Sequence, residues 1–150
     1  MLITQSEIDD AVATLAPVMR RTPLVASRVL SERSGSDVWL KCENLQRTGS
    51  FKPRGAFYRI SRLSSAERAA GVVAASAGNH AQGVAWSAAH LGITSRVYMP
   101  VGAALPKLAA TKAYGAEVVL TGETIDQSLV AAREFAAVSY THLTLPTKRI

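Results

Sequence analysis

One lysine of this chain stands where an extended segment is predicted to turn into a helix. It is Lys52, in the run Gly49–Ala56, and Pro53 follows it directly. Proline fixes its own φ near the helical value and pushes the preceding residue towards extended geometry, so Lys52 is predicted to be the N-cap of a helix that continues to Leu63. The positive end of the helix dipole and the nearby Arg54 favour a neutral amine, the nucleophile that Schiff-base chemistry requires. A lone Lys-Pro pair is more often a solvated surface lysine beside a helix start.

A second group of polar residues follows a buried strand. The segment Ser76–Gly83 comes directly after the apolar run Gly71–Ala75 and opens the next predicted helix. Strand ends and helix N-termini offer free backbone amides, which suit an anion such as a carboxylate. Asn79 with Gln82 also fits a capping box, so the plain alternative is that Asn79 only starts the helix. The glycine spacing matches neither a dinucleotide fingerprint nor a Walker loop.

Short β-rich runs alternate with helical patterns along most of the chain. Strands are predicted at 38–43, 71–75, 95–100 and 116–120, and helices at 6–19, 52–63, 81–91, 106–115 and 125–136. This alternation predicts βαβ crossovers and a parallel sheet with helices on both faces, which is the α/β class.

Composition excludes several classes of function. The chain has 150 residues, 48% of them apolar, which is ample for a packed core. Apolar stretches are interrupted well before the roughly 18 residues of a membrane span, and the acidic N-terminal segment is unlike a secretory signal, so no membrane association is expected. The single cysteine, Cys42, forms neither an intramolecular disulfide nor a thiolate metal site, which fits a cytoplasmic protein. The formal charge of +6 comes from scattered basic residues, so no nucleic-acid partner is predicted.

Together, the runs Lys41–Ala56 and Ala75–Gly83 resemble the threonine dehydratase branch of the fold-type II pyridoxal phosphate enzymes. The resemblance extends over about residues 21–137 and implies a tryptophan synthase β-like fold, a parallel sheet with flanking helices. It implies pyridoxal 5'-phosphate as the cofactor, with Lys52 holding it as a Schiff base and then moving the α-proton of the substrate. Phe51 is expected to pack against the pyridine ring.

The resemblance also assigns roles to the second group of residues. Asn79 is expected to hydrogen-bond the ring hydroxyl of the cofactor. Ser76, Gly78 and His80, together with Asn79, are expected to line the loop that receives the carboxylate of an amino acid substrate. Arg54 either contacts the cofactor phosphate or faces solvent, and no metal is implied.

The implied reaction is dehydration and deamination of L-threonine or L-serine to 2-oxobutanoate or pyruvate and ammonia. It belongs to amino-acid metabolism, including isoleucine biosynthesis, and the full-length protein is expected to be a homo-oligomer. The closest rival, serine racemase, places a hydroxyl base at the position of Ala77, whose methyl group carries no proton. An elimination-competent relative such as a cysteine- or threonine-forming synthase remains open. So does a noncatalytic α/β ligand-binding or regulatory module, although a module does not explain Lys52 before a proline.

The family pattern divides the chain into three segments. Residues 1–50 are expected to belong to a larger cofactor domain whose remainder is missing, and residues 51–137 to form a smaller α/β domain. In the family the glycine-rich phosphate loop and the partner of the pyridine nitrogen lie beyond this chain, which is therefore predicted to be a truncated, poorly active fragment. Residues 138–150 have neither strand alternation nor helical spacing, which predicts a non-native tail, with an ordinary irregular C-terminus as the alternative.

Overall fold

A computed structural model of the chain describes residues 3–139 and 142–144. The chain divides into two compact units, Met1–Phe51 and Lys52–Ile150. Each unit contains a sheet of its own, with two strands in the first unit and four in the second.

The first unit consists of short elements. They are the helices α1 (Gln5–Leu15) and α2 (Arg28–Ser34) and the strands β1 (Leu24–Ala26) and β2 (Trp39–Lys41), followed by 3₁₀ turns at Glu43–Leu45 and Arg47–Gly49. The strands β1 and β2 pair antiparallel. The sequence pattern predicts α1 and β2 but neither β1 nor α2.

The second unit is an α/β layer structure. Its elements in chain order are α3 (Lys52–Ser61), α4 (Ser65–Ala70), β3 (Val72–Ala75), α5 (Asn79–His90), β4 (Ser95–Met99), α6 (Leu105–Ala113), β5 (Glu117–Leu120), α7 (Ile125–Ser139) and β6 (His142–Thr144). The strands form one sheet in the order β5-β4-β3-β6, and every neighbouring pair is parallel. The predicted fold class, a parallel sheet with flanking helices, is confirmed.

Alternate residues of β3 face opposite sides of the sheet, and both sides are covered. On one side Val72 packs in a cluster with Ile60 of α3 and Val84 of α5. On the other side Val73 packs with Ala132 of α7. All four residues of β3 are buried, which is typical of a central parallel strand and makes it a rigid base for the loop that follows it.

Helix α4 is an element that the periodic pattern does not predict. Its six residues bury nothing, and a capping box between Ser64 and Glu67 starts it. It ends at Gly71, whose φ of 93° lies in the left-handed region. A Cβ on Gly71 would stand 2.5 Å from the Oγ1 atom of Thr94, so only glycine fits this entry into β3.

The end of the described chain is more regular than predicted. Helix α7 continues to Ser139, and β6 pairs with β3 from Val72 opposite His142 to Ala74 opposite Thr144. The alternative of an ordinary irregular C-terminus therefore does not describe residues 138, 139 and 142–144, which are helical or extended. Strand pairing uses backbone N–H and C=O groups, so an open edge of β3 accepts a partner without alternation in its side chains. The non-native origin of residues 138–150 stays a prediction, and residues 140, 141 and 145–150 lie outside the described part.

Candidate active site

Lys52 is the first residue of α3, one position inside the helix rather than at the predicted N-cap. Pro53 follows it in the first turn, where its missing N–H leaves no intrahelical bond unmade. The helix is held in place by its buried face, to which Pro53, Phe57 and Ile60 contribute, while the Lys52 side chain is only half-buried. The backbone of this lysine is thus fixed by a packed core, while the residue as a whole is partly exposed.

The backbone of Lys52 lies directly against α5. A Cβ built on Gly83 would stand 3.1 Å from the carbonyl carbon of Lys52 and 3.2 Å from the nitrogen of Pro53. Only a residue without a side chain lets the two helices approach this closely without displacement. Gly83 therefore sets the position of Lys52, a role that its place in the sequence pattern does not indicate.

The loop between β3 and α5 extends the strand ladder before it turns. The N–H of Ser76 donates to the carbonyl of Tyr98 at 3.1 Å, and the N–H of Gly78 donates to Oγ of Ser76 at 3.3 Å. Ser76 is buried, and Gly78 occupies the N-cap of α5. The loop thus ends at the carboxyl edge of the sheet, where backbone amides of the first turn of α5 point away from the core.

The predicted capping box between Asn79 and Gln82 is absent. Helix α5 begins at Asn79 itself, Gly78 is the N-cap, and no side chain caps the helix. A residue inside the first turn cannot cap that turn, because the cap accepts from N–H groups two and three positions ahead of it. The amide of Asn79 has a tertiary partner instead.

That partner is Lys107, which the sequence pattern does not single out. The Nζ atom of Lys107 donates to Oδ1 of Asn79 at 2.6 Å. Lys107 lies in the first turn of α6, the helix that follows β4, so two neighbouring strands deliver the two residues to the same edge of the sheet. A lysine 28 positions away along the chain leaves no local signal for this pairing.

Asn79 also lies close to Lys52. Asn79 and Gly83 are four residues apart on α5 and so share one face of the helix, with neighbouring Cβ positions about 6 Å apart. Since Gly83 contacts the backbone of Lys52, Asn79 lies one helical turn from that contact. The structure therefore brings together Lys52, Gly83, Asn79 and Lys107.

The other predicted site residues are arranged as follows. Ser76, Gly78 and His80 belong to the same loop and first turn as Asn79, and the Nε2 atom of His80 is buried. Phe51 is the last residue of the first unit, and its side chain is 55% exposed. The ring-packing role of Phe51 and the carboxylate-binding roles of the loop residues stay predictions.

Comparison with known protein families identifies the family of this chain. A model of the family described as pyridoxal-phosphate dependent enzymes matches residues 15–146. The chain belongs to this family. The predicted resemblance and the predicted pyridoxal phosphate cofactor are both confirmed, since the family takes its name from that cofactor.

Individual relatives of this pyridoxal-phosphate dependent enzyme family agree with the predicted branch. The chain is 51% identical over 131 residues to the L-threonine ammonia-lyase of Thermotoga maritima, which covers 87% of this chain and 33% of that protein. The solved threonine deaminase isoform 2 of Solanum lycopersicum is 34% identical with a TM-score of 0.82, over 95% of this chain and 40% of that one. The serine racemase of Dictyostelium discoideum is 31% identical with a TM-score of 0.87, over 98% and 48%. The chain thus spans about a third to a half of these relatives.

The residues present fit one end of the family's cofactor. The backbone of Lys52 lies against α5 one helical turn from Asn79. The oxygen of the Asn79 amide accepts from Lys107, which leaves its NH₂ group as a donor for an oxygen on the ring. Gly115 and Gly122, with φ of 89° and 67°, are single turn glycines rather than a phosphate cradle. Lys52 and Asn79 would therefore hold the aldehyde-bearing side of the cofactor, and nothing in the described residues binds its phosphate through a glycine-rich loop.

A metal site and a membrane-spanning helix are both absent from the part of the chain that the structure describes. No group of three or more His, Cys, Asp and Glu residues there is arranged to hold a metal ion. Nor does any helix between residues 3 and 139 combine the length and apolar character needed to cross a membrane.

Proposed function

We propose that the protein containing this chain removes water and ammonia from L-threonine, and from L-serine, to release 2-oxobutanoate or pyruvate. The observation that carries this proposal is the contact of Gly83 with the backbone of Lys52, one turn of α5 from the Asn79 amide. The T. maritima relative, named L-threonine ammonia-lyase, supports the same reaction.

Lys52 has two tasks in this proposal. Its amine holds the cofactor covalently, and after exchange with the substrate amino group the same amine removes the α-proton. The cofactor, when bound, supplies an electron sink for the α-carbon. Because Gly83 fixes the backbone of Lys52, the amine returns to the same place once it is freed, which is what repeated proton transfer at one carbon requires.

Residues of α5 and the loop before it orient the reactants. The Asn79 amide holds a ring oxygen of the cofactor, and Ser76, Gly78 and His80 receive the substrate carboxylate at the N-terminal end of α5. Loss of the β-hydroxyl as water leaves an enamine, which becomes an imine and is hydrolysed to the 2-oxo acid and ammonia. The water released in the first step is consumed in the last, so the products are one 2-oxo acid and one ammonia.

Elimination is favoured over racemisation by one side chain. Serine racemase structures align with this chain, so racemisation is the natural second candidate. Reprotonation on the opposite face needs an acid there, and the position of the racemase hydroxyl is occupied here by Ala77. A methyl group donates no proton, and the proton removed by Lys52 is not replaced from the other face.

The assignment of the segments of the chain to two domains is also part of this proposal. Residues 1–50 belong to a larger domain, residues 51–137 form the smaller α/β domain, and the phosphate loop lies in the remainder of the protein. The described residues 3–50 support this, since Thr22, Gln46 and Ser50 are the buried ones among them and all three are polar. The 150-residue chain alone is accordingly expected to bind the cofactor weakly. We also propose that the full-length protein is a homo-oligomer and is located in the cytoplasm.

The test uses the full-length protein incubated with pyridoxal phosphate and either L-threonine or L-serine. We expect release of 2-oxo acid and ammonia in equal amounts, and borohydride is expected to fix the cofactor on Lys52, as peptide mapping would reveal. Lys52→Ala should lower turnover about a thousandfold or more, because it removes both the covalent anchor and the base. Lys112→Ala is the matched control, since Lys112 is an exposed lysine at the other end of α6 and should leave turnover unchanged.

Three outcomes would contradict the proposal. Fixation of the cofactor on another lysine would exclude the role given to Lys52. Accumulation of D-serine without 2-oxo acid would identify a racemase despite Ala77. Binding of an amino acid that persists in Lys52→Ala, together with no turnover in the unaltered protein, would identify a noncatalytic ligand-binding module.

A further inference from the structure

We propose that Lys107 is a positioning residue that sets the orientation of the Asn79 amide towards the cofactor. This inference rests on the proposed function. It concerns a residue that neither the sequence pattern nor the family resemblance assigns, and it starts from the 2.6 Å contact between Nζ of Lys107 and the side chain of Asn79.

The chemistry of lysine settles which way the amide points. An ammonium group has three N–H donors and no acceptor, so the Asn79 atom in contact with it is the carbonyl oxygen Oδ1. The NH₂ group of Asn79 then points away from Lys107. A cofactor ring oxygen accepts hydrogen bonds, so this is the orientation of Asn79 that suits it.

The amide needs such a partner because its own torsion does not choose between the two orientations. The χ2 angle of asparagine is broad and roughly two-fold, and a rotation of about 180° exchanges the oxygen and the nitrogen. Asn79 lies inside α5, and no hydrogen bond from its side chain to the helix backbone caps the first turn. The charged bond from Lys107, short and stronger than a neutral one, therefore selects the orientation.

Lys107 is itself held firmly enough to do this. The fully buried Thr111, one turn further along α6, donates from Oγ1 to the carbonyl of Lys107 at 2.8 Å. The neighbouring Leu108 packs against the core cluster that contains Ala81 and Val97. Lys107 is half-buried, and α5 and α6 pack against each other. This packing restricts the flexible stem of Lys107 and keeps its ammonium group near Asn79.

The bond also brings a positive charge to the edge of the site. A cation on the carbonyl side of an amide polarises it and strengthens the N–H donors on the other side. Lys107 thus improves Asn79 as a donor to a ring oxygen that carries negative charge. Lys107 itself touches neither the cofactor nor the substrate in this proposal.

The main experiment is a double-mutant cycle on cofactor affinity in the full-length protein, measured by titrating the visible absorbance of bound pyridoxal phosphate. Lys107→Met keeps the length of the side chain and removes the charge, and we expect affinity to fall about tenfold or more. In the Asn79→Ala background the same change should have almost no effect, because Lys107 acts through Asn79. Lys112→Met is the control for loss of a lysine from α6 and should leave affinity unchanged, and Lys107→Arg should restore most of it.

A merely structural role would give a different result. If Lys107 only joined α5 to α6 through this bond, Lys107→Met would lower the thermal stability of the cofactor-free protein, and its cofactor affinity would fall only in proportion to that loss of stability, which would overturn the inference. If Lys107→Met does not fold, the unaltered protein provides the test through the NMR signals of the Asn79 NH₂ protons. Cofactor addition should shift them strongly, and unchanged signals would overturn the inference as well.

The inference and the proposed function fail in different ways. If borohydride fixes the cofactor on Lys52 but Lys107→Met binds it as tightly as the unaltered protein, the role of Lys107 is wrong and the proposed function stands. If the cofactor is fixed on another residue or does not bind, both are wrong.

Discussion

The described residues of the two units are 3–51 in the first and 52–139 with 142–144 in the second. The two units contain helix caps of the same kind but differ in the residues that they bury. In the first unit the buried residues are Thr22, Gln46 and Ser50, all polar. In the second unit three apolar clusters surround the parallel sheet. Capping boxes start helices in both, at Thr4 in the first unit and at Ser64 in the second.

Polar contacts organise the first unit. The Gln46 amide donates to the carbonyl of Arg20 at 2.8 Å and accepts from its N–H, and the Thr22 hydroxyl donates to Glu43 at 2.6 Å. None of its described apolar side chains is buried, and the large exposed ones are Ile3, Ile8, Val12, Leu24, Val25, Val29, Leu30, Trp39, Leu40, Leu45 and Phe51. Hydrogen bonds alone contribute little net stability, so a unit of this kind requires another surface to cover its apolar faces.

The two units differ in how firmly they can hold candidate site residues in place. In the second unit Val84, which follows Gly83, belongs to one buried apolar cluster, and Leu108, which follows Lys107, packs against another. The first unit supplies no such support of its own among its described residues.

The largest effect is expected when the two units are separated. A fragment of residues 52–150 should retain a cooperative thermal transition and dispersed NMR signals, because it carries the parallel sheet and its three clusters. A fragment of residues 1–51 should be unfolded, because hydrogen bonds without apolar burial do not offset the entropy of ordering a chain. A cooperative transition in the shorter fragment would show that the difference between the units is misjudged.

A matched pair of leucines measures the same difference by one substitution. Leu63 is 5% exposed and belongs to the cluster around Ile60, so Leu63→Ala should lower the free energy of unfolding by about 2–5 kcal/mol. Leu24 in β1 is 59% exposed, and Leu24→Ala should change it by about 0.5 kcal/mol or less. Denaturant titration of the 150-residue chain is the measurement. In the full-length protein the cost of Leu24→Ala should rise, and an unchanged cost would argue against a covering domain.

Gly83 and Gly55 are two helix glycines of the second unit whose surroundings differ. Gly83→Ala should cost about 1–3 kcal/mol, because the new Cβ would crowd the Lys52 backbone at 3.1 Å. Gly55 in α3 has open space where its Cβ would be, so Gly55→Ala should stabilise by up to about 1 kcal/mol. Thermal unfolding of both variants distinguishes them by sign. Destabilisation of similar size in both would mean that the close approach of α5 to Lys52 is not what Gly83 provides.

The smallest effect is local and lies in the first unit. Hydrogen bonds from the backbone N–H of Thr4 and then from its hydroxyl lower the pKa of Glu7. A lowered folded-state pKa means that the contribution of Glu7 to α1 is present above the pKa of the unfolded chain and is lost as pH falls through the folded-state value. Thr4→Ala should therefore raise the pKa of Glu7 in an NMR titration. Gln5→Ala is the control, since Gln5 donates to Asp9 rather than to Glu7.

Much of the second unit could be predicted because its signals are local and periodic. The strands β3, β4 and β5 and the helices α3, α5, α6 and α7 all appear within a few residues of their predicted ranges. Buried parallel strands read as apolar runs, and core helices carry apolar residues at helical spacing. Helix α4, which buries nothing, and β6, which pairs through its backbone, carry neither signal.

The candidate site could be predicted only in part. A proline at a helix start predicts Lys52 as a site residue, and a loop after a buried strand predicts Asn79. Gly83 and Lys107 were not, because each acts on a residue that is distant along the chain: Gly83 on Lys52, and Lys107 on Asn79. The predicted capping box is absent because Asn79 lies inside the first turn of α5, and its side-chain oxygen accepts from Lys107 instead.

Residue identity by itself therefore determined the α/β class and the family to which the motifs belong, and it predicts Lys52 as the reactive lysine. These properties depend on residues that are neighbours in the sequence and on the side-chain periods of strands and helices, about 2 and 3.6 residues, which are visible in the sequence. The tertiary structure alone decided that a glycine of α5 fixes the backbone of the lysine and that a lysine of α6 orients the asparagine. Such contacts join segments 28 to 31 residues apart, and they exist only after the sheet has brought the helices together.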